Sequence, residues 1–292
     1  MIYDYAIVGA GLAGGVCAYE LSKKGKSCIL FEKNCCPTEK ICGGGVSYKA
    51  ISKLQDIGIN TDLLFKLNSK SIKGHRIIRN RRIENRTYKD GNNSLGIQRM
   101  LLDQYILYCA ASLGSEIKYG IKVDCIKQHD NYYDIKGYIA KDVIWASGAR
   151  NLYGRIIAGQ SIGYSSQISA KSRLNDQIFY YWYFDIKSDE KYFWAFPIGE
   201  NLWNVGVWSR HMYNDLKKEY NECLKQLFLK EIDGSWKYYR EPKAEFLGHV
   251  DQRQQQSYFK NGIGDFAGKC NPMNGGGIIG AIDSAIEFAK RV

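Results

Sequence analysis

Six residues near the start of the chain, Gly9-Ala10-Gly11-Leu12-Ala13-Gly14, restrict the fold more than any other stretch. They follow the apolar run Tyr5-Ala6-Ile7-Val8 and open a helical pattern from about Leu12 to Lys24, with Ala13, Val16, Cys17 and Leu21 on one face. Gly25 stands where such a helix ends in a left-handed residue. A second apolar run, Cys28-Ile29-Leu30-Phe31, ends in Glu32. A strand, a glycine-rich turn, a helix and a second strand closed by an acid about 20 residues on describe a dinucleotide-binding βαβ unit. Gly9 permits the tight turn, Gly11 lets the backbone approach a pyrophosphate, and Gly14 lets helix and strand pack closely. The helix start offers N–H groups and a partial positive charge to phosphates. Glu32 is suited to accept hydrogen bonds from a ribose diol. Its charge disfavours a 2′-phosphate, which points to FAD or NAD rather than NADP.

A chain of 292 residues has room for one large domain or two interleaved ones. With 45% hydrophobic and 24% charged residues it falls among globular proteins. No run of 18 apolar residues is present, so a membrane-spanning helix is not expected. Met1-Ile2-Tyr3-Asp4 lacks the basic start of a signal peptide. Nine cysteines without a recurring spacing read as thiols in a reducing cytosol rather than as a disulfide framework or a metal site. The net charge of +11 favours anionic partners. Between Lys66 and Lys89 it concentrates in Lys70, Lys73, Arg76, Arg79, Arg81, Arg82 and Arg86, against the single acid Glu84. This is either a solvated hairpin face or an anion-docking patch. No nucleic-acid module is recognisable, so no nucleic-acid partner is expected.

After Glu32 the chain becomes irregular up to Ile41-Cys42-Gly43-Gly44-Gly45-Val46-Ser47, where three glycines could lie flat against a partner. Residues 48–67 suit short helices, and 71–90 suit a hairpin turning near Arg79-Asn80-Arg81. Leu101, Leu102, Tyr105, Ile106, Cys109 and Leu113 recur at helical spacing, stopped by Gly114. Strands are expected at Glu116–Tyr119, Ile121–Gln128 and Tyr132–Gly137, and a buried parallel one at Lys141–Ala146. From Asn151 to His249 aromatic runs such as Tyr181-Trp182-Tyr183, Tyr192-Phe193-Trp194-Ala195-Phe196-Pro197 and Trp203-Asn204-Val205-Gly206-Val207-Trp208 predict an antiparallel sheet. One helix, from about Tyr213 to Glu231, interrupts it. A short strand from Phe259 to Ile263, carrying Asp265 at its end, and a glycine-rich turn then lead to a C-terminal helix.

Four motifs in this order resemble the flavoprotein family of p-hydroxybenzoate hydroxylase, geranylgeranyl reductases and flavin-dependent halogenases. The likeness is greatest to the geranylgeranyl reductase branch. It is carried by Lys40-x-Cys42-Gly43-Gly44-Gly45, by Arg99 with Asp103, by Tyr192-x-Trp194-x-Phe196-Pro197, and by Gly264-Asp265-x-Ala267-Gly268-x-x-Asn271-Pro272-x-x-Gly275-x-Gly277-Ile278. The resemblance covers nearly the whole chain. It implies an α/β fold: a glutathione reductase/p-hydroxybenzoate hydroxylase-type FAD-binding Rossmann domain with an inserted antiparallel β-sheet substrate domain. The FAD-binding part would comprise residues 1–70, 91–150 and 250–292, and the substrate sheet residues 71–90 and 151–249.

The resemblance also implies FAD as cofactor and assigns roles. Gly9, Gly11, Ala13 and Gly14 would lie at the pyrophosphate, and Glu32, with Lys33 beside it, at the adenosine ribose. Arg99 would contact the phosphates and ribose, and the Val123 backbone would meet the adenine. Cys42 and Gly43 would run beside the flavin, with Cys42 a candidate catalytic residue and a structural cysteine the alternative. Gly264 and Asp265 would serve the ribitol, and Pro272, Gly275, Gly277 and Ile278 the flavin ring. Trp182, Trp194, Phe196, Pro197 and Trp208 would wall the substrate pocket, ordinary core packing being the alternative.

The implied activity is reduction or desaturation of a carbon–carbon double bond in an apolar or prenyl-like substrate, by hydride transfer through flavin N5. A flavin monooxygenase or tailoring oxidase, and a redox subunit without its own substrate, are the competing readings. Three departures bear on the choice. The Asp-Gly pair of the family's hydroxylases is here Ser147-Gly148, and the Trp-x-Trp-x-Ile-Pro of the halogenases is here Tyr192-x-Trp194-x-Phe196-Pro197. The chain also ends after the last helix, so the substrate tunnel is expected to be shorter than in many relatives or completed by a partner. An external electron donor (reductase, ferredoxin or reduced nicotinamide) is expected. So is a cytoplasmic location, with peripheral contact at the inner membrane surface through the basic 66–89 region.

Overall fold

A computed structural model of the chain describes residues 1–37, 39–79, 82–89, 91–149, 159–184, 190–210, 215–249 and 261–292. The elements are, in order, β1 (Ile2–Val8), α1 (Leu12–Lys23), β2 (Cys28–Phe31), β3 (Gly45–Val46), α2 (Tyr48–Asp56), α3 (Asp62–Lys66), β4 (Ser69–Ile72), β5 (Gly74–Arg79) and β6 (Arg82–Thr87). There follow β7 (Ser94–Ile97), α4 (Arg99–Ser112), β8 (Glu116–Lys118), β9 (Lys127–Gln128), β10 (Tyr133–Ile135) and β11 (Tyr138–Trp145). The remainder is β12 (Gly159–Ser172), β13 (Ile178–Tyr183), β14 (Lys191–Gly199), β15 (Leu202–Ser209), α5 (Leu216–Glu231), β16 (Ile232–His249), a 3-10 turn at Gly264–Ala267, and α6 (Ile278–Lys290).

The first sheet has the order β8-β2-β1-β11-β10-β9. β1 runs parallel to β2 and β11, and β2 parallel to β8. All four residues of β2 are buried because both faces of this sheet are covered, as a parallel sheet requires. On one face α1, α4 and α6 join a cluster that includes Ile7, Val16, Leu30, Ile106 and Ile282. On the other, Ala6, Phe31, Val123, Ile135 and Val143 form a smaller cluster.

The expected strand at Ile121–Gln128 is present only as Lys127–Gln128. The Gly120 and Ile121 amides donate to Asn34 O and Glu32 O, so this stretch is fastened to the loop after β2 and not to a ladder. The strand at Tyr132–Gly137 is likewise shorter, because Lys136 and Gly137 turn at positive φ. Asp265 lies in the 3-10 turn and not at a strand end; among the described residues of that expected strand, Gly262 bridges to Trp145. The hairpin tip at Asn80-Arg81, the helix start at Tyr213 and Phe259 lie outside the described residues.

The second sheet, β16-β12-β15-β14-β13-β5-β6, is antiparallel apart from the β13–β5 pair. Alternation along its strands divides the aromatic residues between two faces. Tyr180, Trp182, Phe193, Trp203 and Val207 lie under α5, against Leu216, Tyr220, Leu224 and Leu227. Phe179, Tyr192, Trp194, Phe196 and Trp208 lie on the opposite face. A small sheet, β3-β7-β4, stands between the two large ones and had no counterpart in the sequence reading. All nine cysteines are free, and no group of three or more metal-ligating side chains occurs among the described residues. No helix among them is long and apolar enough to cross a membrane.

Candidate functional site

The glycine turn sits between the ends of β1 and β11. Gly9 adopts φ +108°, and a Cβ there would collide with the Ala146 carbonyl. A Cβ on Gly14 would strike the Gly9 carbonyl. Gly11 differs: its Cβ would meet nothing nearer than Asp103 Oδ2 at 3.9 Å. The helix α1 that follows has no side-chain cap and no acid in its first turn. The room beside Gly11 and a helix start whose N-cap glycine supplies no acceptor together fit a phosphate group.

Glu32, expected at the adenosine ribose, follows β2 and faces the glycine turn. Its Oε2 accepts from Ala10 N at 3.4 Å, and its Oε1 accepts from Asn34 N and Nδ2 at 3.1 and 2.7 Å. These bonds aim the carboxylate across the turn, where a ribose diol fits. Lys33 is exposed, and Val123 is buried beside the segment that Glu32 O anchors.

Arg99, at the first turn of α4, grips Asp103 with Nε and Nη2 at 2.9–3.1 Å. Burial works against the Arg99 charge, but its partners, the Asp103 carboxylate first, more than offset it. Lys40 Nζ lies 3.4 Å from Asp265 Oδ2, and that carboxylate raises the affinity of Lys40 for its proton. Gly264, at φ +61°, packs on Ala13, and its N–H donates to Ser284 Oγ. The Asp265 turn is thereby held against helix α1. A Cβ on Gly277 would lie 3.0 Å from Asp265 Oδ1, so the start of α6 passes close by the same carboxylate. The N-cap of α6 is Gly277, which has no side chain to cap it.

The Cys42–Gly45 segment joins this region to the aromatic face of the second sheet. A Cβ on Gly43 would strike the Phe196 ring at 2.9 Å and approach Trp194 Nε1 at 3.3 Å. Gly45 packs on Phe179 in the same way. Asn204 donates to the Cys42 carbonyl at 2.7 Å and accepts from Trp194 Nε1 at 2.8 Å. From the other side Gly275 presses on the Trp208 indole, and Tyr192 donates to Asn274 O at 2.8 Å. Pro272 is exposed within that loop.

Of the proposed pocket residues, Trp194, Phe196 and Trp208 share the face that meets the two loops. Pro197 turns its carbonyl to Gly96 of β7. Trp182 lies on the opposite face, against Phe193 under α5, and is not brought together with the others. Three site residues were missed from sequence: Glu39, Lys40 as a partner of Asp265, and Asn204. Asn204 carried a signal, being the polar residue within the otherwise apolar run Leu202–Trp208.

The basic hairpin is an open sheet edge. All six residues of β6 are exposed, while Arg79 stacks on Tyr183 at 3.8 Å and Arg76 over Tyr180 at 5.5 Å.

A family model described as an NAD(P)-binding Rossmann-like domain matches residues 7–49. Along nearly its whole length the chain is 25% identical to menaquinone reductase of Mycolicibacterium smegmatis, over 94% of this chain and 72% of that one. It is also 25% identical to digeranylgeranylglycerophospholipid reductase of Methanococcus vannielii, over 97% and 75%. A shorter match, 27% over 51% of this chain, spans only 34% of conditioned medium factor receptor 1 of Dictyostelium discoideum. A geranylgeranyl bacteriochlorophyll reductase-like protein of Thermoplasma acidophilum superposes with a TM-score of 0.76, at 20% identity, over 99% of this chain and 77% of that one. The chain has the fold of the geranylgeranyl reductase-like flavoproteins. The flavin-dependent halogenase CmlS superposes equally well, at 0.76 and 17% identity, over 99% of this chain and 57% of that one. The fold therefore does not by itself select the reaction.

Proposed function

We propose that this chain is an FAD-dependent oxidoreductase that reduces, or in the reverse sense desaturates, a carbon–carbon double bond of an apolar or prenyl-like substrate. The observation that carries this reading is the course of the Cys42–Gly45 segment. It runs from beside Arg99 to direct packing on Trp194, Phe196 and Phe179, joining a dinucleotide site to an aromatic wall. The reductases named above support the choice of substrate class, and the Tyr192-x-Trp194-x-Phe196-Pro197 sequence supports it over halogenation.

FAD, when bound, supplies the hydride chemistry. The chain would hold it by its phosphates at the Gly11 turn, by its ribose at Glu32, by its ribitol at Asp265, and by its ring at the Gly277 and Ile278 amides. Such donors favour negative charge at the ring. The aromatic face excludes water and orients the apolar substrate. Cys42 Sγ is the protic group this segment offers beside Arg99. Electrons come from an external donor.

The test is the visible spectrum of the purified chain, taken under nitrogen after chemical reduction and again after adding polyprenyl or prenylated quinone probes. Bound flavin, reoxidised only by such a probe, is expected. A colourless protein that takes up no FAD, or a reduced flavin indifferent to every probe, overturns the reading. Reoxidation coupled to hydroxylated product under oxygen replaces it with the monooxygenase reading. We assign the open basic edge of β6 to an anionic membrane surface. Co-sedimentation with anionic but not neutral vesicles is expected, and its loss in the pair Arg82→Glu and Arg86→Glu checks the assignment.

A further inference from the structure

Glu39 lies on the irregular segment before Lys40 and Cys42, far in sequence from everything it touches. Its Oε1 accepts from Arg99 N at 2.8 Å, and its Oε2 accepts from Met100 N at 2.9 Å. Helix α4 has no side-chain cap of its own, so this remote carboxylate satisfies two of its first amides. Gln167 Nε2, from β12 of the aromatic sheet, donates to the same Oε1 at 3.0 Å. Gln98 Nε2 in turn donates to Gln167 Oε1 at 2.9 Å, and both glutamines are buried. One carboxylate thus joins the loop, the helix that carries Arg99, and the sheet that carries the aromatic wall. The arrangement exceeds what capping alone needs, because a serine or aspartate at Gln98 would cap α4 locally.

We propose that Glu39 is a positioning residue of the cofactor site: it fixes the Lys40–Gly45 segment against the start of α4 and against β12, and so sets how that segment meets the flavin and the aromatic wall. Its neighbours make the consequence specific. Lys40 reaches Asp265, the Cys42 carbonyl is held by Asn204, and Gly43 lies on Phe196. Each of these depends on the segment's path one to four residues beyond Glu39. Removing the carboxylate leaves the two α4 amides and the Gln167 amide without their acceptor, and the segment held only by its later anchors.

This inference rests on the FAD reading, and the test separates the two. FAD affinity, the visible spectrum of bound FAD and its midpoint potential are measured for the full chain and for Glu39→Gln and Glu39→Ala, with apo-protein unfolding followed in parallel. Wild-type chain that binds no FAD sinks the FAD reading and this inference with it. If wild type binds FAD, Glu39→Ala should bind about tenfold more weakly or worse, since hydrogen bonds to a charged group are at stake. Its spectrum and potential should shift as well. Glu39→Gln keeps the shape and one acceptor, so it should fold and lie between the two. A merely structural cap predicts a different pattern: lower unfolding temperature with affinity, spectrum and potential unchanged. That pattern, or wild-type FAD properties in Glu39→Gln together with Glu39→Ala, overturns the proposal.

Discussion

The glycines of the first turn are under two separate demands, and single substitutions can tell them apart. Gly14 is required by the protein itself, because a methyl group there has no space against the Gly9 carbonyl. The chain makes no such demand at Gly11, where a methyl group would reach only van der Waals contact with Asp103, so in the proposed FAD site the demand there comes from the ligand. Gly11→Ala is therefore expected to keep the unfolding midpoint of the apo-protein while weakening FAD about tenfold or more, as read by fluorescence titration. Gly14→Ala is expected to lower the midpoint whether or not FAD is present. Asp4 offers a second residue-scale prediction. It accepts from Ser27 N and Oγ and from Lys141 Nζ, and these partners, Lys141 foremost, lower its pKa from 3.8 to about 2. The depressed value means that ionised Asp4 favours the folded state above pH 3.8, and that this contribution fades as pH falls toward 2. The site is partly exposed, so Asp4→Asn should cost only about 1 kcal/mol at pH 7. Urea unfolding across the pH range should show that difference closing in the acid limb.

At the scale of elements, Asn204 links strand β15 to the loop. Asn204→Leu removes the acceptor of the buried Trp194 Nε1 and the donor to the Cys42 carbonyl. Two polar groups are left without partners, at about 1–3 kcal/mol each. A loss of about 2–5 kcal/mol in denaturant unfolding is expected, together with a perturbed flavin spectrum. The same scale shows what the sequence could and could not disclose. Apolar periodicity and punctuation located α1, α4, α6, the buried strand β2 and the partly buried β11, because each depends on its own residues. The strand expected over Ile121–Gln128 dissolved because Glu32 O, 89 positions earlier, holds its first amide, and Asn34 O holds that of Gly120 just before it. The sheet β3-β7-β4 escaped notice for a related reason. Its pairing joins Gly45 to Gly96 and Lys70 to that same glycine, and such short strands have no periodicity to display. Glu39 was invisible on similar grounds: a cap supplied from 60 residues away leaves no mark at the helix it caps.

For the whole molecule, the decisive feature is that the aromatic sheet has two unlike faces. The family resemblance grouped Trp182 and Trp194 together as pocket residues, and both sit in aromatic runs of neighbouring strands. In the antiparallel register Trp182 is opposite Phe193 and Tyr181 opposite Trp194, so the two tryptophans alternate to different sides. Trp182 stacks on Tyr180 and serves the core beneath α5. Trp194 lies against Gly43, in the loop proposed to meet the cofactor. Parallel substitutions convert this geometry into a measurement. Trp182→Phe and Trp194→Phe remove similar volumes from well-packed surroundings, and each is expected to cost about 1–3 kcal/mol of stability. Only Trp194→Phe should alter the reaction, because it alone changes the surface beside the Cys42–Gly45 segment and strands the Asn204 side chain. A fall of about tenfold or more in the rate at which a prenylated probe reoxidises the flavin is expected for it, since small displacements beside a reacting centre are costly. Trp182→Phe should reoxidise at the wild-type rate. Equal effects of the two substitutions on that rate would mean that the sheet acts as one mechanical unit and that its faces are not divided between core and site.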